Sequence, residues 1–233
     1  MKKKPSTAAK KPARKKLRRK QSDRSAAMRE RLLAATLESL AEDGYTGSTL
    51  SSIVRRAGVS RGAQVHHYPN KQALMIDAAE NLLRRIYRTL GELMLSVAKE
   101  DDRLQALVEA IWQQLFATEL YRAYNELLAA SQRDAALAAA LRKLLLRQAE
   151  VFDVAIDHYF AVAPGSNADI KALFTQFTAL LHGLISHAHL MPGPQFIPAQ
   201  LSAWIKHAGT HMRARKGVRT PPPRPLGWGE ASQ

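Results

Sequence analysis

Residues 44–74 read GYTGSTLSSIVRRAGVSRGAQVHHYPNKQAL, and the spacing inside this stretch decides the fold. Leu50, Ile53, Val54 and Ala57 follow the i, i+3, i+4, i+7 pattern of a short amphipathic helix, introduced by Ser48 and Thr49 as candidate caps and stopped by Gly58. A second short helix fits Arg61–His67, with Ser60 as its cap and Pro69 forcing a break. Two short helices joined by a tight glycine-containing turn form a helix-turn-helix, which serves to lay its second helix in the major groove of DNA. The charge agrees. Residues 51–71 carry Arg55, Arg56, Arg61 and Lys71 and no acid, whereas residues 78–212 are nearly neutral, so the basic face is local.

Outward from this stretch the helical pattern continues on both sides. A helix over residues 25–42 places Leu33, Leu37 and Leu40 on one face and stops at Gly44. Asn70 caps a helix of about 40 Å over residues 71–98, a connector between two parts of the molecule. Further helices fit residues 103–118, 119–131, 134–160, 167–190 and 198–213, punctuated by Pro164-Gly165 and Pro192-Gly193-Pro194. Ser166-Asn167-Ala168-Asp169 has the form of a capping box before an apolar run. No alternating strand is evident, so the expected class is all-α: an N-terminal three-helix helix-turn-helix domain plus a helical C-terminal domain for ligand binding and dimerisation. The expected divisions are a disordered basic arm (1–22), the DNA-binding domain (23–71), the helical body (72–213) and a disordered Pro-rich tail (214–233).

Composition bounds the chemistry. With 46% hydrophobic and 24% charged residues, the 233-residue chain can bury a real core. The absence of cysteine excludes disulfides, thiolate catalysis and Cys-based zinc sites. No apolar run approaches the ~18 residues of a membrane span, and no signal-peptide core follows the basic start, so a soluble cytoplasmic protein without membrane association is expected. Eleven of the 35 Lys and Arg residues fall within residues 1–20, leaving +4 of the formal +15 for the rest of the chain. Such an arm either seeks phosphate without reading sequence or is simply a solvated tail. A transit peptide fits less well, because Lys and Pro are prominent.

Residues 25–75 resemble the N-terminal signature of TetR-family regulators. The resemblance rests on Gly44-Tyr45, Thr49, Ile53, Ala57-Gly58-Val59-Ser60, Gly62, His67-Tyr68, Lys71 and Leu74 at their fixed separations. One position departs from the family pattern: many members carry Tyr, usually a phosphate contact, where this chain has Val65. The resemblance implies a homodimeric regulator, most simply a repressor, that binds double-stranded operator DNA and responds to a small-molecule effector.

The implied DNA contacts are Thr49, Arg55, Arg56, Ser60, Arg61, Gly62, Gln64, His66, His67 and Lys71. Thr49 and Lys71 resemble family phosphate contacts at helix N-termini, although Thr49 also suits a purely structural cap. Arg61 and Gln64 have the side chains that pair with guanine and adenine edges, and Gly62 permits close backbone approach. Arg55 and Arg56 also suit a helix C-terminus through the dipole alone. Adjacent His66 and His67 do not face one another, so a shared metal is not expected.

The family uses its last two long helices to form a four-helix bundle with a second subunit. Independently, the segment 167–190 carries large residues on one face and Ala172, Thr175, Ala179, Gly183 and Ser186 on another, which suits burial of two faces or tight packing within the chain. Candidate pocket residues are Trp112, Gln113, Phe116, Tyr121, Tyr124, Asn125, Phe177 and His182, a set poor in charge that suits an apolar or aromatic ligand. Two other readings remain: a DNA-binding dimer with a filled body and no effector, and a His-based metal enzyme. For the latter, His207 and His211 have ligand spacing but lack the intervening Glu of a zincin, and no phosphate loop or strand-borne nucleophile is present. No cofactor, catalytic residue or metal site is expected.

Overall fold

The computed structural model describes residues 11–191 and 193–223. Among them the helices run α1 Lys11–Gly47, α2 Leu50–Ala57, α3 Arg61–His67, α4 Lys71–Ser96, α5 Arg103–Ile111, α6 Glu119–Ser131, α7 Ala135–Tyr159, α8 Ile170–His187 and α9 Phe196–His211. Two short strands, β1 Phe160–Val162 and β2 Met212–Ala214, pair antiparallel with Phe160 opposite Ala214 and Val162 opposite Met212.

The helix-turn-helix is built from α1, α2 and α3. Leu33, Leu37 and Leu40 are all buried, joined by Leu32 and, across the junction, by Ile53 and Tyr68. At Gly44 the backbone takes φ 69°, a left-handed conformation that favours glycine, and a Cβ there would lie 3.1 Å from the Glu126 carboxylate, which would have to shift slightly. The two short helices are closed at both ends. Thr49 and Ser52 form a reciprocal capping box, Gly58 ends α2 in the left-handed region, and Ser60 caps α3 by accepting from the Ala63 amide. Arg31 donates from Nη2 to the Ala57 and Gly58 carbonyls at 2.7 and 2.9 Å, satisfying acceptors that a helix C-terminus leaves open. Ser48 is buried instead of capping, with its hydroxyl donating to the Gly44 carbonyl.

The core runs unbroken from this unit into the body along α4, whose Leu74, Met75, Ala78, Ala79, Leu82, Leu83 and Ile86 are buried. Several expectations are corrected. The backbone of residues 11–22 is helical, not disordered, because Lys, Arg, Leu, Gln and Ala favour helix and Pro12 falls in the first turn, where it is tolerated. The remainder of the expected arm, residues 1–10, lies outside the described residues, as do residues 224–233 of the expected tail. The all-α architecture holds, and the three-residue strands β1 and β2 are a small addition to it. Residues 215–220 are not a loose tail. Buried Arg103 donates to the Ala98, Tyr159, Arg215 and Val218 carbonyls, and Thr220 accepts from Tyr159 Oη. The expected capping box before α8 resolves differently, with Asp169 accepting from the Lys171 and Ala172 amides while Ser166 accepts from Ala168.

Candidate nucleic-acid interface and cavity

Arg61, Gly62, Val65 and His66 form the exposed face of α3, with the rim of His67 half-buried beside them. Thr49, Arg55 and Ser60 are exposed alongside. The structure corrects the reading of Gln64: it is 2% exposed, and its Nε2 donates to the Tyr68 carbonyl at the end of its own helix. Its amide is therefore spent on a buried acceptor and cannot reach a base edge. Arg56 is held by Glu42 at 2.7 Å and Asp43 at 3.2 Å, which ties α2 to the end of α1 and neutralises its charge. His66 and His67 meet edge to face at 5.4 Å, as neighbours on adjacent helix positions.

Lys71 is half-buried at the start of α4. Its Nζ donates to the Tyr45 carbonyl at 2.6 Å and lies 4.3 Å from the Tyr45 ring, and burial lowers its pKa. One ammonium hydrogen is thus committed within the chain, leaving two for an anion. The Tyr45 amide donates to Glu126 of α6 at 2.8 Å, and Gln72 donates to Asp134 at 3.0 Å. A third tie sits at the other edge. Arg29 of α1 forks onto Asp77 of α4 at 2.8 and 2.5 Å, and Tyr68 Oη donates to the same carboxylate, so burial and that bond raise the Tyr68 pKa while the carboxylate raises that of Arg29. These contacts fix α3 against α1 and α4. Ser52, Arg29, Asp77 and Glu126 were not singled out from the sequence, because each acts through a partner 3 to 81 residues away.

A half-open cavity of about 510 Å³ lies in the body between α4, α6, α7, α8 and the π-helical turn Trp112–Phe116. Phe116, Tyr121, Tyr124, Phe177 and His182 line it as expected, together with Leu83, Ile86, Leu90, Phe152, Ile156 and Phe174. Tyr121 stacks on Phe116 at 3.8 Å between ring centres, and its hydroxyl lies 3.0 Å from His182 Nε2. Burial lowers the His182 pKa and raises that of Tyr124 to about 12, so both are neutral near pH 7.

Trp112, Gln113 and Asn125 do not line the cavity. The π-helical turn sends Leu115 and Phe116 inward and leaves Gln113 exposed, while Trp112 is half-buried and Asn125 donates to Ser186. The sequence reading also missed the rim, where Asp153, Lys171, Thr175, Thr178 and Ala179 lie and Lys171 meets Asp157 at 2.8 Å. Ala172, Thr175, Ala179, Gly183 and Ser186 are all exposed, which argues against tight packing within the chain. Among the described residues no group of three His, Asp or Glu could hold a metal. His207 and His211 meet edge to face at 5.0 Å, and His211 Nδ1 lies 3.1 Å from Ser166 Oγ. No helix among the described residues is long and apolar enough to cross a membrane.

A capped two-helix reader with one exposed basic face, fixed to a helical body, is the build of a helix-turn-helix transcriptional regulator. Residues 32–83, from mid-α1 into α4, match the family described as bacterial regulatory proteins of the tetR family. It is similar to the HTH-type transcriptional regulator CymR of Pseudomonas putida, 32% identical over 130 residues that cover 56% of this chain and 64% of that one. The match thus spans under two thirds of CymR. The regulator BetI of Rhizobium meliloti (strain 1021) is 26% identical over 84% of this chain and 95% of its own length. Among solved structures, a transcriptional regulator from Rhodococcus sp. Rha1 shares the fold with a TM-score of 0.60 at 21% identity, covering 77% of this chain and 95% of that one.

Proposed function

We propose that the chain is a cytoplasmic homodimeric repressor that binds a palindromic operator with one α3 from each subunit and is released when a small apolar or aromatic molecule fills its cavity. The observation that carries this reading is the 510 Å³ space lined by rings and aliphatic side chains, within the ordinary size range of small-ligand sites. A filled body would serve a regulator without an effector equally well, so the cavity favours the ligand-responsive reading.

Operator binding uses Arg61 and His66 toward base edges, Gly62 for close approach, and Thr49, Arg55, Ser60, His67 and the free hydrogens of Lys71 toward phosphate. The exposed small-residue face of α8 supports dimerisation, because short side chains let a partner helix approach closely. Release follows from the route between cavity and reader. Tyr121 and Tyr124 line the cavity from α6, and Glu126 on the same helix holds the Tyr45 amide. A ligand that prefers a displaced α6 changes the spacing of the two α3 helices, and a hundredfold preference supplies about 2.7 kcal/mol per site.

The test begins with selection from a random duplex library, which should return a palindrome. Thermal-shift screening of small apolar and aromatic compounds then yields hits, each titrated against operator-bound protein. Ligand and operator should weaken one another by the same factor. A compound that stabilises the chain yet leaves operator affinity unchanged would refute the switch.

A further inference from the structure

Val65 is the large apolar side chain left most exposed in the α2–α3 unit, at 55% of its surface, while Ile53 in the same unit is fully buried. A lone exposed valine is ordinary on a protein surface. Its setting on this helix is not. Residues 61, 62 and 65 share one helical face by their i, i+3 and i+4 spacing, and the neighbouring outward position is His66. At the centre of that face lies Gly62, which has a negative φ and around which an added Cβ would meet nothing within 4 Å. Neither the backbone nor the packing of the chain asks for glycine there, although glycine weakens a helix of only seven residues. The space it leaves opens outward. Glycine and valine are both poor helix formers, and both are set on the one face that the folded chain does not use.

The chemistry of the face narrows what it meets. Val65 has no donor or acceptor, so it cannot contact a phosphate as the tyrosine common at this position in the family does. In the major groove the base edges offer one apolar feature, the C5-methyl of thymine. Valine is short and stiff, with a single side-chain torsion, so it reaches a base only if the helix backbone comes close. The missing side chain at residue 62, one turn earlier, allows that approach.

We infer that Val65 reads the C5-methyl group of a thymine in each operator half-site, with Gly62 admitting the α3 backbone to the depth that this contact requires. The inference rests on the proposed use of α3 as the DNA-reading helix. It makes Val65 a specificity residue and gives each half-site a preferred thymine at one position.

The experiment uses the full chain and the duplex obtained by selection. Each thymine is replaced in turn by deoxyuridine, which removes only the methyl group and preserves every hydrogen-bonding edge. At one position per half-site this should weaken wild-type binding about fourfold, and about fifteenfold when both half-sites are changed, as expected for one buried methyl each. Val65→Ala should bind the thymine duplex more weakly by a similar factor and become indifferent to deoxyuridine at that position alone. Ala favours helix, so this variant folds, and its melting temperature checks that. Gly62→Ala should melt higher yet bind operator more weakly, the reverse of what a purely structural glycine would give. Specific binding with no deoxyuridine-sensitive position, or sensitivity retained in Val65→Ala, overturns the inference and leaves the DNA-reading assignment standing. Failure to select any duplex sequence overturns that assignment, and the inference with it.

Discussion

Arg61 and Gln64 lie three residues apart on α3 and have opposite fates: one is exposed, the other is 2% exposed and bonded to the Tyr68 carbonyl. Substituting them therefore separates recognition from folding. Arg61→Ala should relax selection at one base pair per half-site by about 1 to 3 kcal/mol while leaving the melting temperature nearly unchanged. Gln64→Ala should destabilise the chain by about 1 to 3 kcal/mol, since it leaves a buried carbonyl without its donor, and should keep the base preference at each position. Chemical denaturation paired with binding to a panel of mutant operators checks both. The residue types suited to base edges were legible in the sequence, but the inward turn of Gln64 was not. A helix of two turns shows too little periodicity to reveal which side docks, and the long amide chain finds its acceptor only once Tyr68 is in place. His182 yields a pH prediction. Burial holds its pKa below the ordinary 6.5, so the unfolded chain takes up its proton first. Its stabilising contribution is complete above about pH 6.5 and is lost as pH falls through the lowered value. Removing the titrating group in His182→Gln should flatten the dependence of melting temperature on pH below 6.5.

At the scale of elements, α2 and α3 were legible because each is bracketed by a capping residue and a clear stop, such as Thr49 and Gly58 for α2. The segments misread are those whose conformation depends on distant partners. Strands β1 and β2 have three residues each and pair across some 50 intervening positions, too short for alternation to register. The π-helical turn Trp112–Phe116 shifts the phase of its side chains, so a regular helical reading placed Gln113 at the cavity and missed the rim on α7 and α8. Buried Arg103 is bound by four carbonyls that converge from the ends of α4, α7 and the C-terminal segment. Arg103→Leu removes the donors but not the acceptors, and should cost about 1 to 3 kcal/mol for each carbonyl that water does not reach. Amide hydrogen exchange should then rise at residues 212–218 well before it rises in α4.

For the whole molecule, the cavity rim and the proposed dimer face share Thr175 and Ala179. A partner subunit docked on α8 would cover the mouth of the cavity, so assembly and effector binding should depend on one another. Ala179→Arg should shift the chain toward monomer in sedimentation and weaken a hit compound in parallel; a monomeric variant with undiminished ligand affinity would separate the two surfaces. The ties at Tyr45 have a further consequence for anyone who treats the reader as a module. Its amide is held by Glu126 and its carbonyl by Lys71, so the corner between α1 and α2 is completed by a carboxylate belonging to the body. A chimera that transplants residues 11–70 onto another helical body inherits the lock without its key. Unless the recipient offers an acid where Glu126 stands, the graft carries an unpaired amide at its elbow and should be less stable than either parent, however well its α3 matches the operator.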